Sequence, residues 1–438
     1  MRVATAPVRP DLRSTLRRLV DPEYGIADKL VELGATAEAA DVFVTCAAGG
    51  PASYMIDHAA TPWMNCSAAS GAAYRREDAF WATLGELSER YCAAVYDREQ
   101  MIWGSAESLG PAAMPVESMI LFSGAQYSQP DFPFMPYDKA QNYYWHKGVH
   151  FRSGREIFAP APLLYLSYEW KNRMLMQTVS TGLACHSEPE KAYLSAMFEL
   201  IERDGFASAW ALGMGLPQLH LSSADRLCLS LETQRALEND VLQIRLYGLP
   251  NEFGVANIIA VTYHTELGYG ALGAAAAASP YQAIEKAVLE AQHTWIALAR
   301  SNSGATGDAV PDPNAIRTPH DHSEYYMHPQ TWSQLDRFLD GDQCISISDL
   351  TAGTEITSSA ELARKLSGAG YETYMFDLTT EDIASLGFHV VRALVPGLQP
   401  LCFGADLFTD DRRRLRRLAD FWDCPMPKTL NRNPHPFP

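Results

Sequence analysis

Two segments of this 438-residue chain carry the same five-residue pattern, E-L-x-E-R. One copy runs from Glu86 to Arg90 and the other from Glu199 to Arg203. In each copy the two glutamates are three residues apart, so an α-helix would project both carboxylates to one side, with Cβ atoms roughly 5 to 6 Å apart. Two anions held that close repel each other unless a cation lies between them. The pattern therefore favours a fold in which separate helices direct carboxylates toward a shared cation.

The residues that precede these glutamates extend the similarity to a third helix. Alanines occur three and seven residues before both Glu199 and Glu290, and a proline occurs ten residues before each. Thr83 and Ala79 are the small residues at the same two offsets before Glu86. Small residues at intervals of three and four form one helix face that another element approaches closely. We interpret the three segments as divergent copies of one strand-plus-helix unit.

The predicted helix starts agree with this register. Residues 187–190 (Ser-Glu-Pro-Glu) and 279–282 (Ser-Pro-Tyr-Gln) both have the pattern of a capping box with proline in the first turn. The repeat therefore predicts three long helices, over about residues 77–96, 189–212 and 280–300.

The repeated glutamates indicate a site for a metal–nucleotide complex. Mg²⁺ takes oxygen ligands and is usually held by a few carboxylates together with substrate phosphates. Arg90 and Arg203 follow directly and are suited to phosphate oxygens. A single E-x-x-E-R segment is more often a soluble helix surface with Glu–Arg pairs. The second copy, however, is flanked by the apolar residues 197–198 and 200–201, which argues against a solvated face.

Charge and composition exclude several classes of function. The formal net charge is −17, so nucleic acid is not expected as a partner, and the basic run 411–417 is interpreted as a solvated helix face. No apolar stretch reaches the roughly 18 residues that span a bilayer, and no signal peptide is evident, so a cytoplasmic protein without a membrane partner is expected. The eight cysteines form no C-x-x-C pair, and no P-loop motif occurs. His320, His322 and His328 are interpreted as loop histidines rather than metal ligands.

Four segments resemble motifs of the YcaO-domain cyclodehydratases, from about residue 19 to the C-terminus. They are residues 85–94 (GELSERYCAA), 180–185 leading into 199–204 (STGLAC, ELIERD), 391–400 (VRALVPGLQP) and the terminal 434–438 (PHPFP). The resemblance implies a mixed α/β, YcaO-like fold with a threefold strand/helix repeat around an ATP site. It further implies an N-terminal segment, residues 1–60, packed on a catalytic domain, residues 61–438, and a homodimer.

What the resemblance implies about activity is ATP- and Mg²⁺-dependent cyclodehydration of a ribosomal precursor peptide. A Cys, Ser or Thr side chain attacks the preceding backbone carbonyl, the resulting oxyanion takes the γ-phosphoryl group of ATP, and loss of phosphate leaves a thiazoline or (methyl)oxazoline. Two alternatives stay open: a family member that makes thioamides or amidines, and a degenerate scaffold that binds nucleotide or peptide without catalysis.

Site residues are carried over by position in the motifs. The implied metal-facing carboxylates are Glu86, Glu89, Glu199, Glu202 and Glu290. The implied ATP contacts are the same glutamates with Arg90, Glu190, Lys191 and Arg203, and the implied catalytic groups are Arg203, Arg392 and the terminal carboxylate of Pro438. Three positions depart from the pattern: Lys191 replaces a glutamate, His293 stands where the second helix has Glu202, and Ala72 stands where a glycine–lysine feature is expected.

The resemblance also implies partners. No segment resembles an adenylating-enzyme-like or winged-helix leader-peptide binder, so we expect a separate protein to deliver the precursor peptide. A flavin-dependent dehydrogenase that oxidises azolines to azoles is a further expected partner. The sequence leaves the precursor, the preference among Cys, Ser and Thr, and the number and order of rings undetermined.

Overall fold

A computed structural model describes most of the chain. The described residues are 11–49, 68–166, 168, 174–301, 310–350, 356–404, 407–409 and 411–437. The strands are β1 (Lys29–Leu33), β2 (Phe43–Ala48), β3 (Ala69–Ala73), β4 (Ile102–Ser105), β5 (Asn142–His150), β6 (Arg155–Pro160), β7 (Leu183–His186), β8 (Gln218–Leu219), β9 (Leu242–Gly248), β10 (Ala256–His264), β11 (Leu272–Ala277), β12 (Cys344–Ile345), β13 (Tyr374–Asp377) and β14 (His389–Leu394).

The helices include three long ones at the predicted places. They are α1 (Leu12–Leu19), α2 (Arg76–Ala94), α3 (Ala106–Leu109), α4 (Gly124–Tyr127), α5 (Pro189–Leu212), α6 (Ser223–Leu227), α7 (Leu231–Leu237), α8 (Pro280–Ser301), α9 (Pro319–Tyr325), α10 (Pro329–Trp332), α11 (Asp336–Leu339), α12 (Ile347–Leu350), α13 (Ser359–Gly368), α14 (Glu381–Ala384) and α15 (Arg412–Phe421). Within the described ranges, none of them combines the length and the apolar character needed to cross a membrane.

The strands form three sheets, and each sheet ends in a strand that leads into a long helix. The strand orders are β1-β2-β3, β11-β10-β9-β8-β12 and β4-β5-β13-β14-β7, with β6 paired to β5. Strand β3 precedes α2, β7 precedes α5, and β11 precedes α8. Antiparallel pairing dominates, and β8 with β12 is a parallel pair. The predicted mixed α/β fold with three strand-plus-helix units is confirmed.

Each long helix packs on its own sheet and also touches the next unit. Helix α2 packs on β2 and β3 and contacts β7; α5 packs on β7 and β14 and contacts β11; α8 packs on β10 and β11 and contacts β3. The three units therefore close in a ring. Because all three helices lie at the junctions of this ring, the side chains on their junction faces share one interior.

The close approach of helix to strand depends on glycine. A Cβ built on Gly273 in β11 would lie 2.2 Å from the backbone nitrogen of Ala291 in α8, and one on Gly71 in β3 would lie 2.4 Å from that of Thr83 in α2. No side chain fits at such distances, because both obstacles are backbone. These glycines set the helices close enough to the strands for the hydrogen bonds described below.

Gly273→Ala is therefore expected to lower the free energy of unfolding by about 2 kcal/mol, since overpacking forces the backbone of α8 away from β11. Gly85→Ala is the matched control, because a Cβ at this helical glycine of α2 meets nothing within 4 Å. It should be neutral or stabilise by about 0.5 to 1 kcal/mol through helix propensity. Urea denaturation followed by circular dichroism measures both. Equal stability of the two variants would contradict the close-packing account.

Three local expectations are corrected by the structure. The predicted capping box at Ser187 is absent: α5 has Glu188 as its N-cap residue, with no side-chain cap hydrogen bond. Glu190 instead accepts hydrogen bonds from the backbone nitrogen and Oγ of Ser359 (2.6 and 2.7 Å), at the start of α13. The capping pattern failed because a distant helix end competes for the same carboxylate.

The basic run 411–417 is not simply a solvated face. It begins helix α15, and Arg414 is 2 % exposed, pairing with Asp204 and Glu252. Strand β2 pairs with β3 across the expected boundary near residue 60. Similarly, His320 and His322 lie in helix α9 rather than in a loop.

Candidate active site

In each long helix the first glutamate of the repeat (Glu86, Glu199 or Glu290) accepts a hydrogen bond from the backbone of the preceding strand or of the residue just before that strand. The donor is a backbone N–H that lies 16 or 17 residues earlier in the sequence. The pairs are Ser70 with Glu86 (2.8 Å), Gly182 with Glu199 (3.1 Å), and Ala274 with Glu290. The three repeats thus hold their first carboxylate in the same way. The regular spacing between the donor residue and its glutamate is a sequence signal that the E-L-x-E-R pattern does not contain.

The position three residues later differs among the repeats. Glu89 occupies it in α2 and Glu202 in α5, where Glu202 accepts from the backbone N–H of Ala276 (3.2 Å). His293 occupies it in α8, and its Nε2 lies 3.1 Å from Oγ of Ser70. The third repeat therefore adds an imidazole where the others add a carboxylate.

Two adjacent cavities lie between the three helices, one of about 680 Å³ and one of about 330 Å³. Both are lined by Ser70, Ser195, Glu199, Glu290 and His293. The larger cavity adds Glu86, Glu89, Arg90 and Arg203, and the smaller adds Glu202. All five carboxylates singled out from the sequence thus line this pair of cavities, which is large enough for a nucleotide.

Arg90 and Arg203 both form ion pairs with carboxylates of the site. Arg90 Nη2 lies 2.5 Å from Oε1 of Glu86, and its Nε is buried without a hydrogen-bond partner among the described residues. Arg203 Nε lies 3.2 Å from Glu202 Oε1 and its Nη2 lies 3.6 Å from Glu199 Oε1. An added acceptor in the larger cavity would therefore find an unsatisfied donor on Arg90.

Arg392 lies behind the carboxylates rather than on a cavity wall. It is 5 % exposed, donates to the carbonyl oxygen of Val179 (2.7 Å), and lines neither cavity. Burial lowers the pKa of Arg392 to about 10, and the nearby charges of Glu199 and Glu89 oppose that shift. The structure therefore places Arg392 beside the site carboxylates. Its contact with a phosphate group stays a prediction.

Burial and mutual repulsion make the site carboxyl groups harder to ionise than free glutamates. Burial, reinforced by the negative charges of Glu199 and Glu86, raises the pKa of Glu89 well above its usual range. Burial likewise raises the pKa of Glu290 to about 7, with Glu199 repelling its charged form. The five carboxylates lie near three guanidinium groups and the ammonium group of Lys286, which lines the smaller cavity, so full ionisation would leave one negative charge in excess. A divalent cation would remove that excess.

The chemistry of these donors suits Mg²⁺, but among the described residues no three His, Cys, Asp or Glu side chains are already arranged to hold a metal ion. The cavities offer carboxylate oxygens, which hard divalent ions prefer, and they leave room for phosphate oxygens beside them. Burial raises the pKa of Glu202 and the negative charge of Glu290 raises it further, so a divalent cation bound here would favour the ionised form.

Some sequence-predicted residues lie elsewhere. Glu190 is committed to Ser359, and Lys191 pairs with Glu188 through Nζ (2.6 Å) on the exposed end of α5. Neither lines a cavity, so the structure does not bring them to the site. Pro438 lies outside the described residues. Its neighbour Phe437 is 1 % exposed, with its ring centroid 3.9 Å from Cζ of Arg203.

Sequence reasoning missed several residues of the cavity walls. Ser70, Ser195, Ser323 and Phe403 line one or both cavities. The spacing of 16 residues between Ser70 and Glu86 is the sequence signal that could have identified Ser70. Ser323 and Phe403 come from segments outside the repeat, and no local pattern marks them.

Comparison with known proteins gives one family and a shared fold. Residues 70–399 match a family model described as YcaO cyclodehydratase, ATP- and Mg²⁺-binding. No curated protein matches the chain. A heterocyclase solved in complex with substrate and cofactor has 19 % identity and a TM-score of 0.75 over 99 % of this chain. This chain spans 59 % of the length of that heterocyclase.

Two further solved structures share the fold at lower scores. YcaO from Methanopyrus kandleri, bound with AMPPCP and Mg²⁺, has 19 % identity and a TM-score of 0.61, covering 88 % of both chains. The E. coli microcin synthetase McbBCD complex with pro-MccB17 bound contains a chain with 14 % identity and a TM-score of 0.55, covering 84 % of this chain and 87 % of that one.

Proposed function

Because the chain belongs to the YcaO cyclodehydratase family, whose members bind ATP and Mg²⁺, we propose that it cyclises Cys, Ser or Thr residues of a ribosomal precursor peptide. The product would be a thiazoline or (methyl)oxazoline. The observation that carries this proposal is that five carboxylates from three repeats line two adjacent cavities, together with Arg90 and Arg203. The family model confirms the predicted resemblance. At the level of the family it also confirms the predicted binding of ATP and Mg²⁺.

The chain's own residues have distinct tasks in this proposal. Glu199 and Glu290, which line both cavities, would hold the metal, with Glu86, Glu89 and Glu202 completing the carboxylate set. Bound Mg²⁺ supplies charge neutralisation of the phosphate oxygens. The guanidinium groups of Arg90 and Arg203 would orient the γ-phosphoryl group, since arginine presents a planar fork to phosphate oxygens.

The reaction transfers a phosphoryl group to a backbone amide oxygen. The substrate thiol or hydroxyl loses its proton and bonds to the preceding carbonyl carbon, and the carbonyl oxygen then bonds to the γ-phosphorus as ADP leaves. The amide nitrogen loses its proton while the C–O bond breaks, which forms the C=N bond of the azoline and releases phosphate. Positioning and charge stabilisation carry most of such a step. The Pro438 carboxylate is our candidate for the proton transfers.

The test is direct. Mg·ATP is titrated calorimetrically into the purified protein, and the protein is then incubated with Mg·ATP and a pool of synthetic peptides that contain Cys, Ser and Thr. We expect binding that requires magnesium, phosphate release, and peptides lighter by one water for each ring. Binding without phosphate release or mass loss in the presence of peptide would favour the scaffold alternative over the enzyme.

The same proposal extends to partners. The E. coli McbBCD complex, which shares the fold, is a multi-protein assembly with a bound precursor. By that analogy we propose a separate protein that delivers the precursor to this chain. We also propose a homodimeric assembly and a cytoplasmic location. A flavin-dependent dehydrogenase would act later, on the azoline product. Addition of a candidate delivery protein should increase phosphate release at a fixed peptide concentration, and no increase would count against it.

Mg·ATP affinity should depend on pH because of Glu290. Its pKa of about 7 means that the carboxyl must lose a proton before it binds a cation. Affinity is therefore expected to fall roughly tenfold per pH unit as the pH drops below about 7, and to level off above it. Titrations between pH 5.5 and 8.5, in buffers of different ionisation enthalpy, measure both affinity and proton release. Glu290→Gln should weaken binding and flatten this profile, and an unchanged profile would contradict the assignment.

A further inference from the structure

One wall of the larger cavity comes from outside the three repeats. It consists of Pro319, His320 and Ser323 from α9, together with Phe403. We call these four residues the α9 wall. The repeats supply the rest of the lining, including all of its carboxylates and guanidinium groups. The α9 wall therefore differs in chemistry from the walls that suit a metal ion and phosphate groups.

Backbone hydrogen bonds hold the α9 wall in place. Gln177, which is 1 % exposed, accepts from the Phe403 N–H (2.6 Å) and donates to the Phe403 carbonyl oxygen (2.7 Å). The next residue, Gly404, donates its N–H to Nε2 of His322 in α9 (2.9 Å). The rings of His322 and Phe403 also pack edge to face, with centroids 5.4 Å apart. The wall therefore presents its cavity side chains from fixed positions.

Ser323 presents an unused hydroxyl group to the cavity. The residue is 6 % exposed, and its Oγ has no hydrogen-bond partner among the residues that the structure describes. A buried polar group without a partner costs about 1 to 3 kcal/mol, so nearly all such groups in folded proteins are paired. Because Ser323 lines the cavity, a ligand that fills the cavity can supply the missing partner. A hydroxyl both donates and accepts, which suits a peptide backbone with its N–H and C=O groups.

The position of the α9 wall favours the peptide over the nucleotide as that ligand. Phe403 belongs to the same hydrophobic cluster as Phe206, which follows Arg203 by three residues on α5 and so lies on the same helix face. In the proposed function Arg203 orients the γ-phosphoryl group, and the peptide is the substrate that meets the γ-phosphorus. The adenosine lies at the other end of the triphosphate. A wall beside Arg203 therefore faces the peptide.

We propose that Ser323 is a substrate-contact residue, whose hydroxyl hydrogen-bonds a backbone amide of the precursor peptide next to the amide that is cyclised. The cyclised amide gives its oxygen to phosphorus and loses its N–H proton, so it cannot keep one hydrogen bond through the reaction. A neighbouring amide keeps both groups and can hold the peptide throughout. This inference rests on the proposed function and adds a residue outside the repeated motifs.

The first experiment removes the hydroxyl alone, by Ser323→Ala in the full chain. Ser208→Ala is the matched control, since Ser208 is 0 % exposed, its Oγ also lacks a partner within the described part of the chain, and it lines neither cavity. Neither change breaks a hydrogen bond of the free protein, so both variants should unfold at the wild-type temperature or above it. Phosphate release with the peptide pool gives the apparent KM for peptide and kcat, and calorimetry with Mg·AMPPCP gives nucleotide affinity.

For Ser323→Ala we expect the apparent KM for peptide to rise roughly fivefold to tenfold, as for one lost neutral hydrogen bond. Both kcat and the Kd for Mg·AMPPCP should stay within about twofold of wild type, because the contact is made equally in the bound and transition states. Ser208→Ala should match wild type throughout. An unchanged peptide KM, a loss confined to kcat, an equal rise in the control or weakened nucleotide binding would each overturn the inference.

A second experiment detects the peptide contact without turnover. His320, whose side chain is 54 % exposed on the same wall, is replaced by p-benzoylphenylalanine. The control carries the same replacement at Arg152, 53 % exposed in the turn between β5 and β6. The proteins are irradiated with the peptide pool and Mg·AMPPCP, and mass spectrometry identifies the adducts.

A peptide adduct at position 320 but not at 152 would support the inference. A nucleotide adduct at position 320, or no adduct there, would overturn it. A wild-type protein that releases no phosphate with any peptide would refute the proposed function instead, and the adducts would still show which ligand the α9 wall takes.

Discussion

Replacing Glu199 and Glu202 together by glutamine is expected to abolish magnesium-dependent ATP binding. Glu199 lines both cavities and Glu202 the smaller one, and both neighbour Arg203. The change removes two of the five carboxylates and leaves Arg203 without its charge partners. We expect affinity to fall by about 100-fold or more, because carboxylates are the principal protein ligands of Mg²⁺. Isothermal titration with Mg·ATP, repeated with EDTA in place of magnesium, measures the loss.

Glu188→Gln is the matched control on the same helix. Glu188 is the N-cap residue of α5, its side chain is 60 % exposed, and it pairs with Lys191 outside the cavities. Affinity should stay within about twofold of wild type, as is usual for a surface ion pair. Magnesium-dependent binding that survived in the double variant would show that the repeated glutamates are structural and would remove the basis of the proposed function.

Asp204→Ala is expected to lower the free energy of unfolding by about 3 to 5 kcal/mol, because it removes the more deeply buried of the two carboxylates that balance the buried Arg414 guanidinium. Arg414 Nη2 lies 2.5 Å from Asp204 Oδ2 and Nη1 lies 2.6 Å from Glu252 Oε1, and the Arg414 and Asp204 side chains are 1 % and 2 % exposed. Asp204 also accepts from the backbone N–H of Gln399 (2.7 Å). Thermal and urea unfolding, followed by near-UV circular dichroism, measure the change.

Arg413→Ala is the control for this ion pair. Arg413 neighbours Arg414 and pairs with Asp411, but its side chain is 80 % exposed. Its removal should cost less than about 0.5 kcal/mol, because solvent screens exposed pairs. Equal destabilisation by the two substitutions would mean that the Asp204–Arg414 pair is no more important than a surface contact.

The repeat and most of its chemistry were readable from the sequence. Helices α2, α5 and α8 all begin and end within two residues of the predicted ranges. Their signals are local: small residues at helical spacing in all three and a proline in the first turn of α5 and α8. For the same reason the i, i+3 glutamates were assigned correctly to one helix face. That Glu86, Glu199 and Glu290 would meet also followed, because three equivalent units require equivalent placement.

Only the tertiary structure decided what the remaining charged and polar groups do. Glu190 lies on the same helix as Glu199, yet it caps α13, 169 residues away in sequence. Arg414 belongs to a basic run and still reaches a buried carboxylate 210 residues away. His322 likewise donates from Nδ1 to the carbonyl oxygen of His435, which lies 113 positions later in the sequence.

The physical reason is the range of the interactions. Helix periodicity and backbone capping act between residues a few positions apart, so the sequence by itself determined the three helices, their carboxylate faces and the repeat. Pairing of buried charges and acceptors depends on which groups close packing brings within about 3 Å, and it carries no local pattern. The partners of Glu190 and Arg414 and the placement of Arg392 behind the cavity wall were therefore decided by the assembled fold.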